Sequence, residues 1–188
     1  MARPRDQNVT DAAHEATIRL LGEVGYAGLT MERVAREAGV GKPALYRRYR
    51  DKAQLVVGAI LATELGPIED VDLGDSREEL RLAAEGLPVD AITYTGLIGG
   101  LMAEHQRHPE LIETFRTALL LPRRAVVVSL IERGQARGEI RRDVDPVMAL
   151  DMLGGQLLAR AFAGADTGAE WREGAFSHWW ELVSTTNG

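Results

Sequence analysis

The chain of 188 residues contains no cysteine. That excludes a disulfide framework and a thiolate zinc site, and it fits a reducing compartment. No apolar run approaches the ~18 residues of a membrane-spanning helix, and the N-terminus carries no apolar leader. These absences predict a cytoplasmic protein with no membrane partner. Signatures of catalysis are missing too: there is no phosphate-cradling glycine loop, nucleophile elbow or paired-carboxylate pattern. The four histidines are scattered. His105 and His108 lie three apart, and Glu104 and His108 four apart, so they share a helix face. No third metal ligand is evident, and a solvated polar face is the plainer reading. The expectation is a chain without catalytic residue, metal or cofactor, and not an enzyme.

What the sequence does have is helical patterning and an uneven charge. Hydrophobic residues make up 45%, enough for the core of one large domain or two small ones. The net charge is −6, from 22 Lys and Arg against 28 Asp and Glu. Residues 1–52 hold ten basic against seven acidic residues, a net of +3. The remaining twelve against twenty-one make residues 53–188 a net of −9. Five basic residues (Lys42, Arg47, Arg48, Arg50 and Lys52) crowd into a short stretch. A basic module on an acidic body points to local contact with a polyanion.

Periodicity predicts a helix over about 8–25, with Val9, Ala13, Ala16, Leu20 and Val24 on one face. Gly25 and Gly28 end it. Thr30 is placed to cap a short second helix that turns Met31, Val34, Ala35 and Ala38 inward. Arg33 stands where a capping box would have Glu. Gly39 supplies the left-handed turn, with Val40 as an apolar plug beneath it. A third helix starts near Lys42 or Pro43, with Leu45 and Tyr49 facing the core. Asp51 caps a fourth, about 52–65, which stops at Gly66-Pro67. Residues 66–75 read as an acidic loop. Ser76-Arg-Glu-Glu79 reads as a capping box, and Gly86-Leu-Pro88 interrupts the helix it opens. Further helices are predicted over about 90–107, 109–137 with a break at Pro122, 146–163 capped by Asp145, and 170–184. Ala125–Ile131 has strand-like propensity, yet no second strand exists for it to pair with, so helix is preferred.

Helix, glycine turn and basic helix over residues 29–52 form a helix-turn-helix. One helix fits a major groove about 12 Å wide, while the other braces it across the backbone. The words Leu29-Thr30-Met31, Val34-Ala35, Ala38-Gly39-Val40-Gly41-Lys42-Pro43-Ala44-Leu45-Tyr46-Arg47-Arg48-Tyr49, Lys52 and Leu55 resemble the DNA-binding signature of the TetR family of transcriptional repressors. The resemblance implies that Thr30, Tyr46, Arg48 and Lys52 hold phosphates. It implies that Arg36 approaches the backbone or a base edge, and that Lys42, Pro43, Ala44 and Arg47 form the exposed face of the recognition helix. Arg3 and Arg5 would form an N-terminal arm. There are departures. Gly41 replaces a common Ser or Thr and loses its cap, Pro43 removes a donor, and Tyr49 stands where Phe or Trp is frequent.

His108-Pro109-Glu110-Leu111, Pro122-Arg123-Arg124, Arg137-Gly138-Glu139-Ile140 and Asp143-Val144-Asp145-Pro146 resemble, more loosely, a regulatory domain of the same family. The implied fold is all-α: an N-terminal three-helix helix-turn-helix domain over 1–52, joined by a fourth helix to a helical-bundle domain over 53–188. The second domain would bind a ligand and dimerise. Met152, Gly155, Leu158, Trp179, Trp180 and Val183 are the expected dimer interface. Tyr94, Leu97, Ile98, Leu101, Met102, Phe115, Leu119, Leu120 and Phe162 are the expected pocket for a largely apolar effector. The function implied is a homodimeric repressor of a palindromic double-stranded operator, released by a small molecule. The rival is an acidic helical dimer that binds a protein or small molecule and no specific operator.

Overall fold

A computed structural model describes residues 4–62, 68–85, 100 and 103–185, and the regular elements among these are all helices, without a strand. They pack as two compact units, one of residues 4–62 with 100 and 103–120, the other of 68–85 with 121–185.

The first unit holds α1 (Pro4–Gly28), α2 (Met31–Glu37), α3 (Lys42–Arg48), α4 (Lys52–Leu61) and α6 (Pro109–Phe115). Helix α1 begins earlier than its apolar stripe, with Pro4 tolerated in the first turn. Gly25, at φ 65° and ψ 177°, ends its regular part. Ala13, Ala16 and Leu20 are buried as the periodicity requires. Helix α4 packs against both α1 and α6. That explains its composition, because Ala53, Leu55, Val56, Val57, Ala59 and Ile60 are all buried and no polar stripe remains. Two predicted caps form here. The Thr30 hydroxyl accepts from the Arg33 N–H at 3.2 Å, and Asp51 Oδ1 accepts from the Gln54 N–H at 2.9 Å.

Past α6, residues Arg116–Leu120 widen into one π-type turn before α7 (Leu121–Arg137). Pro122 stands in the first turn of α7. It lacks an N–H to continue the earlier ladder, so the irregularity falls just before the proline.

The second unit consists of α5 (Ser76–Glu85), α7, α8 (Pro146–Phe162) and α9 (Ala169–Val183). Leu80, Val127, Leu130, Ile131, Ile140, Leu153, Phe176, Trp179 and Val183 form its core. The valine-rich run of 125–131 is helical, since a helix buries Val127, Leu130 and Ile131 on one face. Asp145 Oδ1 accepts from the Met148 N–H at 2.8 Å, the expected cap.

The predicted capping box at Ser76 is not what forms. Asp75 caps α5 by accepting from the Glu78 N–H at 3.1 Å. Glu79 is fully buried and accepts from the N–H groups of Leu73 and Gly74 at 2.7 and 3.1 Å, with Arg137 Nη1 donating to both its oxygens at 3.0 and 3.1 Å. A carboxylate this deep needs a charged partner, and Arg137 provides one. Gly86-Leu-Pro88 and most of the helix predicted over 90–107 lie outside the described residues, as does Arg3.

Candidate nucleic-acid interface

The turn between α2 and α3 is built from backbone hydrogen bonds. Ala38 N–H donates to Val34 O at 2.8 Å and Val40 N–H to Ala35 O at 2.9 Å. Gly39 sits at φ 65°, where a Cβ would be strained. Helix α3 then buries Leu45 completely, which turns Lys42, Pro43, Tyr46 and Arg47 to solvent with Ala44 half-exposed beside them. Gly41 offers no side chain to cap α3, as its residue type dictates. Thr30 and Arg36 are also exposed. The helix-turn-helix therefore presents most of the residues expected to touch DNA on accessible surface.

Three expected contacts are engaged within the protein. The Tyr46 hydroxyl is accessible, the residue being 48% exposed, but it donates to Glu32 Oε1 at 3.1 Å. Lys42 Nζ lies 3.8 Å from that same oxygen. Arg48 Nη1 donates to the Ala44 carbonyl at 2.9 Å and so caps the end of its own helix.

Lys52, which the resemblance would put on flanking phosphate, is likewise engaged: it is half-exposed, its ammonium donates to the Tyr26 carbonyl at 2.8 Å, and it sits 4.0 Å from the Tyr26 ring centroid. Burial lowers its pKa, and the carboxylates of Glu110 and Glu104 oppose that. Tyr26 is buried, and its phenol is pushed well above the usual range by that burial and then by Glu110. His108 meets the Tyr26 ring edge-on at 4.9 Å between centroids, with Nδ1 3.1 Å from Glu110. The inward pull on Lys52 thus comes from a corner that joins α1, α4 and α6. Spacing along the chain could not reveal it, because Tyr26, Lys52 and Glu110 are far apart in sequence. His105 is exposed, and no cluster of three metal-ligating side chains occurs among the described residues.

In the second unit, Trp179 and Val183 are each only 3% exposed. The Trp179 indole N–H donates to the Ala149 carbonyl at 2.9 Å. Both are core residues of α9, which corrects their assignment to a dimer interface: a side chain already enclosed has no area to offer a partner. Met152 and Gly155 are exposed, and Leu158 and Trp180 half-exposed. Met148, Met152, Gly155, Ala159 and Phe162 follow steps of four and three along α8, and all five are exposed. That is an unpaired apolar seam.

Four of the residues expected to line the pocket are described, and they are divided between the two units. Phe115 and Leu119 are buried in the first unit and Leu120 is exposed there, while Phe162 lies in the second unit and is 68% exposed. Tyr94, Leu97, Ile98, Leu101 and Met102 lie outside the described residues. The second unit has instead a cavity of about 500 Å³ among α5, α8 and α9. Leu153, Leu157, Trp171 and Phe176 give it apolar walls, and Arg81, Gln156 and Arg172 give it polar edges. Its lining joins the consecutive helices α8 and α9 to α5, which lies far away in sequence, so no local pattern marked it.

A glycine-turned helix pair with an exposed basic second helix defines a helix-turn-helix DNA-binding transcriptional regulator. Residues 14–59 match the bacterial regulatory proteins of the tetR family, and residues 70–174 match the tetracyclin repressor-like C-terminal domain. The chain belongs to the TetR family, whose members are regulators of transcription and not enzymes. It is 28% identical over 165 residues to the transcriptional regulator YdeS of Bacillus subtilis (strain 168), spanning 87% of this chain and 83% of that one. It is 29% identical over 156 residues to the regulator AqdR of Rhodococcus erythropolis, spanning 82% and 74%. Its fold is similar to that of the flavonoid-responsive regulator FrrA, with a TM-score of 0.66 and 22% identity over 95% of this chain and 98% of that one. A TetR-family structure from Rhodococcus sp. gives a TM-score of 0.68 at 21% identity over 94% and 96%.

Proposed function

We propose that this regulator is a homodimeric repressor of a palindromic operator, released by a small, largely apolar effector. The observation that carries it is α3, which buries Leu45 and exposes Lys42, Pro43, Tyr46 and Arg47 together. Two such helices would enter successive major grooves, with half-sites about 34–36 Å apart. Arg47 and Pro43 would face base edges beside Ala44. Thr30, Arg36, Lys42, Tyr46 and Arg48 would hold the flanking backbone. Residues 1–52 would thus carry DNA binding, and 53–188 effector binding and dimerisation, in the cytoplasm.

The exposed seam on α8 supports dimerisation, because an apolar stripe at heptad spacing is the surface a second helix covers. The cavity among α5, α8 and α9 supports an effector role. Its volume is that of a small-molecule site, and its walls suit an apolar or aromatic ligand with a polar end. Effector binding would act by favouring a dimer shape with the wrong half-site spacing. Such coupling typically changes operator affinity about 5–150-fold. The flavonoid-responsive neighbour makes aromatic compounds a sensible first panel.

Selection of bound sequences from a random duplex pool tests the reading. A two-fold symmetric site should emerge, and binding should weaken steeply as salt rises. A pool that yields no palindrome would sink the proposal.

A further inference from the structure

We propose that Glu32 is a built-in competitor for DNA phosphate that holds down the affinity of this regulator for DNA of any sequence. The inference rests on the docking of α3 stated above. A single carboxylate oxygen, Glu32 Oε1, accepts the Tyr46 hydroxyl at 3.1 Å and lies 3.8 Å from Lys42 Nζ. A phenol O–H and an ammonium converging on one anionic oxygen are what a phosphate oxygen would meet in the same place. Helix α2 brings the carboxylate there from its first turn, a position favourable for negative charge.

Hydrogen bonds from its own backbone N–H and from the Tyr46 hydroxyl hold the Glu32 carboxyl below the usual carboxylate range, so its charge persists at neutral pH. The side chains of Lys42 and Glu32 are 59% and 49% exposed. Water therefore reaches the cluster, and a phosphate can displace the carboxylate without opening the core. Once displaced, Glu32 stands beside the phosphate as a like charge. That cost arises at every sequence, because phosphate is everywhere along a duplex. Operator binding survives it through base contacts, which random DNA does not supply.

The test is duplex binding by the full chain as a function of salt, comparing wild type with Glu32→Gln. Glutamine keeps the shape and can still accept from Tyr46, and an unchanged thermal midpoint shows that the variant is folded. Affinity for a random-sequence duplex should rise about two- to fivefold, the size of an exposed charge pair. The salt dependence should steepen toward one more released counterion as Lys42 becomes fully available. Lys42→Ala should cost more affinity in the Glu32→Gln background than in wild type. If Glu32→Gln binds random DNA no tighter, or Lys42→Ala costs the same in both backgrounds, Glu32 is no competitor. If Glu32→Gln loses the selected operator and leaves random DNA unchanged, Glu32 reads a base and the proposal falls. Wild-type protein that ignores every duplex would overturn the docking of α3 together with this inference.

Discussion

Lys52 carries its charge at the head of α4, where a duplex could reach it, and the fold turns that charge onto Tyr26. The sequence showed the lysine and its place after a cap. It could not show that the Tyr26 carbonyl and ring lie within reach, since that depends on how α1 and α4 pack. Lys52→Ala is therefore expected to destabilise the chain by about 1–2 kcal/mol, from a charged hydrogen bond and a cation–π contact. It should leave the salt dependence of DNA binding nearly unchanged, whereas Arg47→Ala should weaken base preference at one operator position. Urea unfolding and a salt titration check the two sides. His14 is a second case. Its ring is half-buried, with Nε2 2.5 Å from the Tyr49 hydroxyl. Burial lowers its pKa from 6.5, so the folded state resists protonation more than the unfolded chain does. The resulting stability is fully present above about pH 6.5 and is lost as pH falls toward the lowered folded value. His14→Gln should flatten that part of the pH profile. Thermal midpoints of both proteins at pH 7.5 and pH 5.5 would show it, and equal slopes would refute it.

Among the elements, the short helices of the DNA-binding region were the most legible. Each is bracketed by residues with strong local preferences: Thr30 and Asp51 as caps, Gly39 in a left-handed turn, Pro43 in a first turn. Local rules sufficed there because each acts within four residues. Helix α5 shows where they fail. Ser76 and Glu79 have capping-box spacing, yet Glu79 is drawn inward by Arg137, which lies on α7. Asp75 takes over the cap. Removing that buried charge while leaving the arginine should be costly. Glu79→Gln is expected to lower stability by about 3–5 kcal/mol, read as a shift in the urea midpoint at constant slope. A loss below about 1 kcal/mol would mean that water reaches Arg137 and Glu79.

At the scale of the molecule, the packing units do not follow the order of the chain. Residues 103–120 pack with α1 and α4, while 68–85 pack with α7 to α9. The exposed seam of α8 belongs to the same scale, because only folding decides which of its apolar residues remain outside. Met152→Glu places a charge in the middle of that seam. In the proposed dimer it should shift the chain to monomer in sedimentation analysis at micromolar concentration, with the helical circular dichroism unchanged. A variant that stays dimeric would remove α8 from the interface. The sequence by itself determined an all-helical chain, a helix-turn-helix over residues 29–52 and the concentration of positive charge there. Those features follow from periodicity, caps and composition, all of which act locally. Only the tertiary structure decided that Trp179 and Val183 are core and not interface, that the Lys52 ammonium meets the Tyr26 carbonyl, and that Glu32 sits among the groups expected to hold DNA. Those outcomes depend on burial and on contacts between helices, and a residue's neighbours in space are not its neighbours in the chain.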